Sequence, residues 1–391
     1  MSSLDYRTAG ESHGRAVIAL IEGLPAGLPV DVGAINAALL RRQGGFGRSA
    51  RMKIERDEVE ILSGVRAGVT IGSPLTLQIA NKDVRLDSAP AVHRPRPGHA
   101  DFAGAMKYLT TDCREVLERA SARETAGRVA AGAVAKLLLE RFGIRAIGYV
   151  VRIGDVDGTV IGEVMRDEEL SQRRGASEVY CPDAGASAQM VDEIGKARAD
   201  KDTLGGVVEV RVTGVPPGLG SVMRWQDKLD GRILGAVGSI QAIKGVEIGL
   251  GFECAERPGS RVHDEMEFEE SSRDGPALGF RRRTNNAGGL EGGMTNGMPI
   301  VVRAAMKPIS TLLKGLDSVN METLRAERSD YERSDICAVP AASVVAEHVV
   351  AFEVARAFLE KFGGDTIGEV EAGYKYYLAA ARALPTGLDR E

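Results

Sequence analysis

The chain repeats its own sequence pattern, and this internal repeat restricts the fold more than any other feature. Segment 14–29, GRAVIALIEGLPAGLP, resembles segment 205–220, GGVVEVRVTGVPPGLG, since in both an apolar strand pattern leads into a glycine–proline turn. Two further pairs of segments match in the same order along the chain, namely 64–77 with 289–302 and 135–148 with 355–368. Such repetition indicates a duplicated supersecondary unit. We therefore predict two pseudo-repeats, at about 14–148 and 205–368, that share one core.

The longest apolar patterns in each repeat predict helices. Segments 121–143 and 341–363 carry apolar residues three and four positions apart, and each ends in glycine after a basic last turn. Segments 57–68 and 299–306 alternate or run apolar, as strands do. These patterns predict a single domain over 1–391, in which two copies pack about a pseudo-twofold axis with sheets sandwiched by helices.

Segment 155–203 differs from the two repeats, because it is richer in charge and short on periodicity. We expect it to be a peripheral excursion with one helix near 188–200.

Composition predicts a globular cytoplasmic protein. The 391 residues are 43% hydrophobic, which is enough for a substantial core. The opening segment MSSLDYRTAG has no apolar stretch followed by a cleavage site, and no apolar run approaches the roughly 18 residues needed to cross a bilayer.

Four cysteines lie far apart without a CxxC pair, which favours reduced, mostly buried thiols over a zinc site or a disulfide framework. The net charge of -5 argues against nucleic acid or an anionic membrane as a partner.

Two of the five histidines stand in glycine-bounded loops. His13 lies in GESHG, and His99 lies in RPRPGHADF, where Asp101 is close enough in sequence to fix its tautomer. Either histidine alone could be structural, but two such loops together favour a functional role. His348 lies in the apolar pattern of a long helix and is predicted to be packed and hydrogen-bonded, and His263 is predicted to be a loop residue.

Several common site types find no support in the sequence. There is no HExxH or HxxxH pair for zinc, and neither a Walker A motif nor a GxGxxG after a strand for nucleotides. GESHG does not suit a nucleophile elbow, because it places an acidic residue and a histidine beside the serine.

Arginine occurs instead in glycine-rich loops and at helix starts: RRQGGFGRSARMK, HRPRPGH, ERASARETAGR and ERSDICAVP. Guanidinium forks suit carboxylate and phosphate oxygens, and helix starts favour anions. A further glycine-rich segment, NNAGGLEGGMTNGMP, is followed by MKPISTLL, in which Lys307, Ser310 and Thr311 are donors for a flat ring or a phosphate. The residues alone predict an enzyme that acts on a small polyanion, with two histidines as proton donors or acceptors. A bulky anionic cofactor is a further option.

These loops together resemble the chorismate synthase family. The resemblance rests on six motifs in register between about residues 6 and 370: TAGESHG, RRQGGFGRSARMKIE, RPRPGHADF, LERASARETAGRVAAGAVA, NNAGGLEGGMTNGMPIVVRAAMKPIST and RSDICAVPAA. It implies a carbon–oxygen lyase of the shikimate pathway to aromatic amino acids. The implied reaction is the trans-1,4 elimination of the 3-phosphate and a C6 proton from 5-enolpyruvylshikimate 3-phosphate, which gives chorismate.

The resemblance also implies an architecture and a cofactor. The family fold is an α+β, βαβ sandwich with antiparallel-rich sheets, assembled as a homotetramer. Its members require reduced FMN, although the reaction involves no net oxidation. NADPH is then the indirect reductant, and a separate flavin reductase is a possible partner.

The same resemblance implies roles for residues of this sequence. His13 would protonate the departing phosphate, His99 would hold or protonate the flavin near N1, and Asp335 would assist proton removal around N5. Substrate contacts would come from Ser12, Arg42, Arg48, Arg51, Arg96 and Arg123. Flavin contacts would come from Arg119, Ala120, Ser121, Gln241, Ala242, Gly292, Lys307, Pro308, Ile309, Ser310, Thr311 and Arg333. Gln241 stands where the family commonly has asparagine.

Two other functions stay open at the level of the sequence. An FMN-dependent oxidoreductase acting on a small anionic substrate would carry net hydride and would consume NADPH at every turnover. A nucleic-acid-binding module would use the arginine loops, but few aromatic residues accompany those loops.

Overall fold

Strands and helices alternate irregularly along the chain. The computed structural model describes residues 4–48, 56–158, 165–330, 332 and 335–384. The strands are β1 (Asp5–Ala9), β2 (Ala16–Glu22), β3 (Val59–Ser63), β4 (Val65–Arg66), β5 (Val69–Thr70), β6 (Leu75–Ala80), β7 (Arg145–Ile153), β8 (Val156–Asp157), β9 (Gly206–Thr213), β10 (Ile243–Ile248), β11 (Met266–Phe268), β12 (Phe280–Arg282), β13 (Leu290–Glu291), β14 (Met294–Thr295), β15 (Ile300–Met306), β16 (Asp317–Val319) and β17 (Ala326–Arg328). The α-helices are α1 (Val32–Gln43), α2 (Asp101–Tyr108), α3 (Arg114–Ala120), α4 (Thr125–Glu140), α5 (Asp167–Ala176), α6 (Ala184–Ala199), α7 (Leu229–Gly238), α8 (Val339–Phe362) and α9 (Ile367–Ala383).

Two antiparallel sheets form the frame of the fold. The first has the strand order β1–β2–β6–β3, and the second has the order β10–β15–β9–β7–β8. Every second residue is buried in β2, at Val17, Ala19 and Ile21, and in β15, at Ile300, Val302 and Ala304, whereas β7 and β9 are buried on both faces. The alternation gives β2 and β15 one apolar face. The fold is therefore α+β with antiparallel sheets.

Helices α1, α4, α7 and α8 lie between the two sheets. α4 packs on β2 and β6, α8 packs on β7 and β9, and the two helices pack against each other. The expectation of sheets sandwiched by helices is wrong, because here the inner layers are helices. The physical reason is that α8 is buried around nearly its whole circumference. A helix that is apolar on all sides needs cover on all sides.

Most of the predicted elements are present. Helices α4 and α8 occupy the two long helical patterns, and α6 occupies the pattern expected near 188–200. The sequence analysis does not predict α5, of which only Leu170 is buried. The arrangement of charged residues, rather than an apolar face, accounts for the helical structure of α5. Its first turn is acidic, its last turn is basic, and Glu169 pairs with Arg173 one turn later at 2.6 Å.

The burial of the cysteine side chains and of His348 agrees with the predictions from the sequence. All four cysteines lie in the described part of the chain and are free, and Cys113, Cys181 and Cys337 are buried. Nδ1 of His348 donates to the carbonyl oxygen of Val344 at 2.7 Å, and burial lowers the pKa of His348 to about 3. The prediction of a packed, hydrogen-bonded histidine is confirmed. In the described ranges, no helix is long and apolar enough to cross a membrane.

The two long helices cross closely at Gly132 of α4. A Cβ at this position would lie 2.3 Å from the carbonyl oxygen of His348 in α8. Because this neighbour is backbone, neither helix can adjust by turning a side chain aside.

We expect Gly132→Ala to lower the free energy of unfolding by about 1–3 kcal/mol, because the added methyl forces α4 and α8 apart. The matched control is Gly231→Ala in α7, where a Cβ would meet no atom within 4 Å. The control should gain about 0.5–1 kcal/mol from the lower entropy of the unfolded chain. Urea denaturation of the two variants measures both effects. Equal stability of Gly132→Ala and the wild type would contradict the close crossing.

Candidate active site

His13 lies in a tight turn between β1 and β2. Gly10 has φ of +102°, and a Cβ there would lie 2.1 Å from the carbonyl oxygen of Ala16, so this position requires glycine. The turn joins two antiparallel strands, whereas a nucleophile elbow joins a strand to a helix. His13 is 7% exposed in this turn.

Charged groups hold both sides of the His13 ring. Both carboxylate oxygens of Glu118, in α3, lie 2.9 Å from Nδ1, and Oε2 also accepts from the His13 backbone N–H at 2.9 Å. Near Nε2 lie Nη2 of Arg85 at 3.2 Å and Oδ2 of Asp83 at 3.6 Å. Burial acts to raise the pKa of Glu118, but the contacts with His13 and Arg114 outweigh it and lower that pKa. The sequence analysis identifies none of these partners.

His99 also faces a buried carboxylate. Its Nδ1 bonds to Oδ1 of Asp101, which is fully buried, and Nε of Arg96 donates to Oδ2 of Asp101 at 2.8 Å. Nη1 of Arg96 donates to Oγ1 of Thr311 at 3.0 Å. Burial acts to raise the pKa of Asp101, but His99 and Arg96 together hold it far below its ordinary value. The expected proximity of Asp101 to His99 is confirmed.

Arg42 and Arg123 share the carboxylate of Asp57. Nη2 of Arg42 donates to Oδ2 at 2.9 Å, and Nη1 of Arg123 donates to Oδ1 at 2.6 Å. Burial lowers the pKa of Arg42 to about 10, although the charge of Asp57 opposes this shift. One carboxylate thus serves two guanidinium groups, which leaves an excess of positive charge.

Asn81 connects this pair of arginines to the His13 turn. Its Oδ1 accepts from Nε of Arg123 at 2.7 Å, and its Nδ2 donates to the carbonyl oxygens of Glu11 and Gly14 at 3.0 and 2.8 Å. The arginine pair and the His13 turn therefore belong to one region.

Several donors near the end of α1 have no hydrogen-bond partner among the described residues. They are buried nitrogen atoms: Nε of Arg41, Nε of Arg42, Nε2 of Gln43 and Nε of Arg48. Nη1 of Arg48 pairs with Oδ2 of Asp335 at 2.7 Å. Arg51 and Arg333, which the sequence analysis assigns to the substrate and the flavin, lie outside the described residues.

The segments predicted to bind a flavin contact one another beside His99. The carbonyl oxygen of Ala242 accepts from the N–H of Lys307 at 3.0 Å, and Nζ of Lys307 donates to the carbonyl oxygen of Gly98. Nε2 of Gln241 donates to Oε2 of Glu124 at 3.0 Å. Beyond Lys307, the segment Pro308–Thr311 contacts Arg96 through Thr311, and Ser310 lies against Gly98.

The end of α3 joins this region to the His13 turn. Arg119 donates to the carbonyl oxygens of Thr8 and Gly10 at 3.1 and 3.0 Å, and Ala120 is the last residue of the helix. Oγ of Ser121 donates to Oγ of Ser12 at 3.2 Å. Glu124 accepts from Oγ1 of Thr8 at 2.6 Å. A continuous chain of contacts therefore connects the two histidine loops.

Of the predicted flavin residues in the described part of the chain, Gly292 is the one that does not lie in this region. It lies in the β13–β14 hairpin, which packs on Gly220 and Leu229, before β15 begins. Lys307 follows the opposite end of β15. At about 3.4 Å per residue, the strand separates the two residues by roughly 20 Å.

Comparisons with known proteins agree on one family. The sequence profile of the family described as chorismate synthase matches residues 4–359. The chain is 55% identical to a protein named chorismate synthase from Desulforudis audaxviator, over 98% of this chain and the full length of the relative. It is 54% identical to the protein of the same name from Geobacter metallireducens, over 97% of this chain and the full length of that relative.

A solved structure agrees with the sequence relatives. The structure titled "Crystal Structure of Chorismate Synthase" is similar with a TM-score of 0.79 and 42% sequence identity. The similarity covers 98% of this chain and 99% of the solved one.

Proposed function

Since the chain belongs to the chorismate synthase family, the carbon–oxygen lyases that eliminate phosphate from 5-enolpyruvylshikimate 3-phosphate to give chorismate, we propose that the region around α3 is the site of that reaction. The observation that supports this most directly is the chain of contacts between the loops of His13 and His99. Anion-binding arginines surround both loops.

The substrate carries one phosphate and two carboxylates, and we assign these anions to the arginine loops. Arg42 and Arg123 share one carboxylate, and unpaired buried donors lie at Arg42, Gln43 and Arg48. A bound oxyanion would satisfy such donors. Arg51, Arg96 and Ser12 complete the proposed set of substrate contacts.

We assign the proton transfers to three residues. His13 gives a proton to the departing phosphate oxygen, which makes phosphate a better leaving group. Asp335, which Arg48 holds at 2.7 Å, assists removal of the C6 proton. His99 lies beside Lys307 and Ala242 and holds or protonates the cofactor.

The residues near His99 fit a reduced flavin. Oε1 of Gln241 is buried without a hydrogen-bond partner among the described residues, so it is available to an N–H group. Ala242 adopts φ of +67°, an unusual conformation for alanine. Arg119 and Lys307 provide positive charge on two sides. When bound, reduced FMN supplies transient electron donation, which assists cleavage of the allylic C–O bond.

The proposed flavin contacts are those predicted from the sequence, except Gly292, which β15 separates from Lys307 by roughly 20 Å. They are Arg119, Ala120, Ser121, Gln241, Ala242, Lys307, Pro308, Ile309, Ser310, Thr311 and Arg333.

We also propose that the single domain arose from two pseudo-repeats, at 14–148 and 205–368, with 155–203 as a peripheral excursion. Thr70 and Thr295, which occupy equivalent positions of the repeat, support this. Oγ1 of Thr70 accepts from the N–H of Leu28 at 2.9 Å and donates to the carbonyl oxygen of Pro25 at 2.6 Å. Oγ1 of Thr295 accepts from the N–H of Leu219 at 2.8 Å and donates to the carbonyl oxygen of Pro216 at 2.6 Å. The proposed assembly is a cytoplasmic homotetramer, with NADPH as indirect reductant and a separate flavin reductase as a possible partner.

An anaerobic phosphate-release assay tests the function. With 5-enolpyruvylshikimate 3-phosphate as substrate, we expect release only when reduced FMN is present, and we expect one flavin to support many turnovers. Stoichiometric oxidation of NADPH with each phosphate released would instead favour the FMN-dependent oxidoreductase. Phosphate release at full rate without any flavin would contradict the assignment of the region near His99.

A further inference from the structure

Glu118 is a buried carboxylate with no direct role in the proposed reaction. It is 1% exposed, and its two oxygens are occupied by three donors of the protein. His13 supplies two of them, the ring Nδ1 and the backbone N–H, each at 2.9 Å. Nη1 of Arg114, one turn earlier in α3, lies 3.3 Å from Oε1. A buried carboxylate with these contacts is ionised and accepts hydrogen bonds only.

An ionised acceptor determines which ring nitrogen of His13 keeps its proton. Nδ1 faces two acceptor oxygens and must carry hydrogen to bond with either. Nε2 lies on the opposite side of the ring, toward Arg85 and Asp83. The backbone contact fixes the loop relative to the same carboxylate, so the ring has little freedom to turn over.

We propose that Glu118 is a positioning residue that keeps His13 protonated on Nδ1, so that Nε2 is the atom that exchanges a proton with the leaving phosphate. This inference rests on the proposed role of His13. In the step, one proton passes from Nε2 to a phosphate oxygen, and the electron pair of the broken C–O bond stays with the phosphate. The imidazole is left neutral with its remaining proton on Nδ1.

The second histidine of the site has the same kind of support. Nδ1 of His99 bonds to Oδ1 of the fully buried carboxylate of Asp101, and Nη2 and Nε of Arg96 donate to Oδ1 and Oδ2 of the same carboxylate at 3.1 and 2.8 Å. In both cases the buried charge is compensated by an arginine close in sequence, Arg114 for Glu118 and Arg96 for Asp101. Two independent occurrences of this arrangement, one for each histidine, favour a common function of tautomer control.

Glu118→Gln tests the proposal. In glutamine, an NH₂ group, which donates hydrogen bonds, replaces one of the two carboxylate oxygens. Only one oxygen then remains to accept hydrogen bonds from His13 and Arg114. We expect kcat to fall by about tenfold to a hundredfold, with KM changed by less than about threefold. The matched control is Glu115→Gln, which removes the same charge from the exposed face of α3 and should leave kcat within about twofold.

The tautomer itself gives a readout that a structural defect would not produce. Solid-state ¹⁵N NMR of histidine-labelled enzyme distinguishes protonated from unprotonated ring nitrogens, and His13→Asn identifies the signals of His13 among the five histidines. We expect protonated Nδ1 in the wild type and a mixture or the Nε2–H form in Glu118→Gln. The charged groups that face the ring are Glu118, Asp83 and Arg85, and only the first of these is changed.

The outcomes separate the inference from the function on which it rests. Full turnover in His13→Ala would refute the acid role and with it the proposed function of His13. If His13→Ala is inactive while Glu118→Gln keeps the wild-type tautomer and kcat, the positioning role alone is overturned. Should Glu118→Gln fail to fold, Glu118→Asp retains the charge on a shorter side chain. It should then keep the Nδ1–H tautomer, and an Nε2–H form in that variant would count against the proposal.

Discussion

Replacing His13 by alanine is expected to lower kcat by about 10²–10⁴-fold and to change KM by less than about threefold. The imidazole is 7% exposed, and it lies between Glu118 on one side and Arg85 on the other. Its loss removes a proton donor needed only as the C–O bond breaks, whereas the arginines that hold the substrate in the ground state remain. An effect confined to kcat is the signature of an interaction made in the transition state.

Anaerobic steady-state assays with reduced FMN measure this effect through phosphate release. The matched control is His263→Ala, which removes a histidine from an exposed loop and should leave kcat within about twofold. A raised KM with unchanged kcat in His13→Ala would assign His13 to substrate binding and would contradict the acid role.

Glu347→Ala is expected to lower the free energy of unfolding by about 3–5 kcal/mol. Glu347 lies in α8 with no exposed surface and is bonded to three cations. Oε1 accepts from Nη2 of Arg41 at 2.6 Å and from Nζ of Lys136, and Oε2 accepts from Nη1 of Arg174 at 3.0 Å. Oε2 also accepts from the backbone N–H of Gly148 at 2.9 Å. Removal of the carboxylate leaves three partly buried cations without their shared partner.

Urea denaturation gives the magnitude. A control on the same helix is Glu360→Ala, which breaks the more exposed pair with Arg232 and should cost less than about 1 kcal/mol. An equal loss in the two variants would show that burial of the Glu347 cluster adds nothing.

The stabilisation by Glu347 should also depend on pH. Burial acts to raise the pKa of Glu347, but Arg41, Lys136 and Arg174 outweigh it and hold that pKa well below the ordinary value of 4.5. A depressed pKa in the folded state means that the stabilisation is fully present above pH 4.5 and is lost as the pH falls toward the folded-state pKa. The difference in stability between wild type and Glu347→Ala should therefore be constant near neutrality and should shrink below pH 4.5.

Local patterns in the sequence account for the elements but not for the partners of the site residues. The apolar spacing of α4 and α8 is visible in any window of the sequence, and so are the glycine-bounded histidines. The carboxylates that bind the site residues are not visible in a local window of the sequence. Glu118 meets His13 across 105 residues, and Asp57 meets Arg123 across 66. Neither carboxylate differs in its local sequence from an ordinary surface acid, so only the tertiary fold identifies them.

Periodicity alone did not predict the layer order, for a related reason, whereas the family resemblance implied a βαβ sandwich. Periodicity shows that an element has an apolar face, but it does not show which element covers that face. The continuous burial of α8 depends on one sheet and on helices α1, α4 and α7, which come from distant parts of the chain. Asp101 is the exception among the supporting carboxylates, because it lies two residues from His99 and local sequence was sufficient to find it.

Two of the four inner helices, α4 and α8, begin at the proposed site. α4 starts at Thr125, directly after Arg123, and α8 starts at Val339, shortly after Asp335. The amide groups at these ends carry partial positive charge that belongs to the backbone. This charge acts within about the first turn of each helix, so it favours an anion bound at the helix start and persists when a neighbouring arginine is replaced.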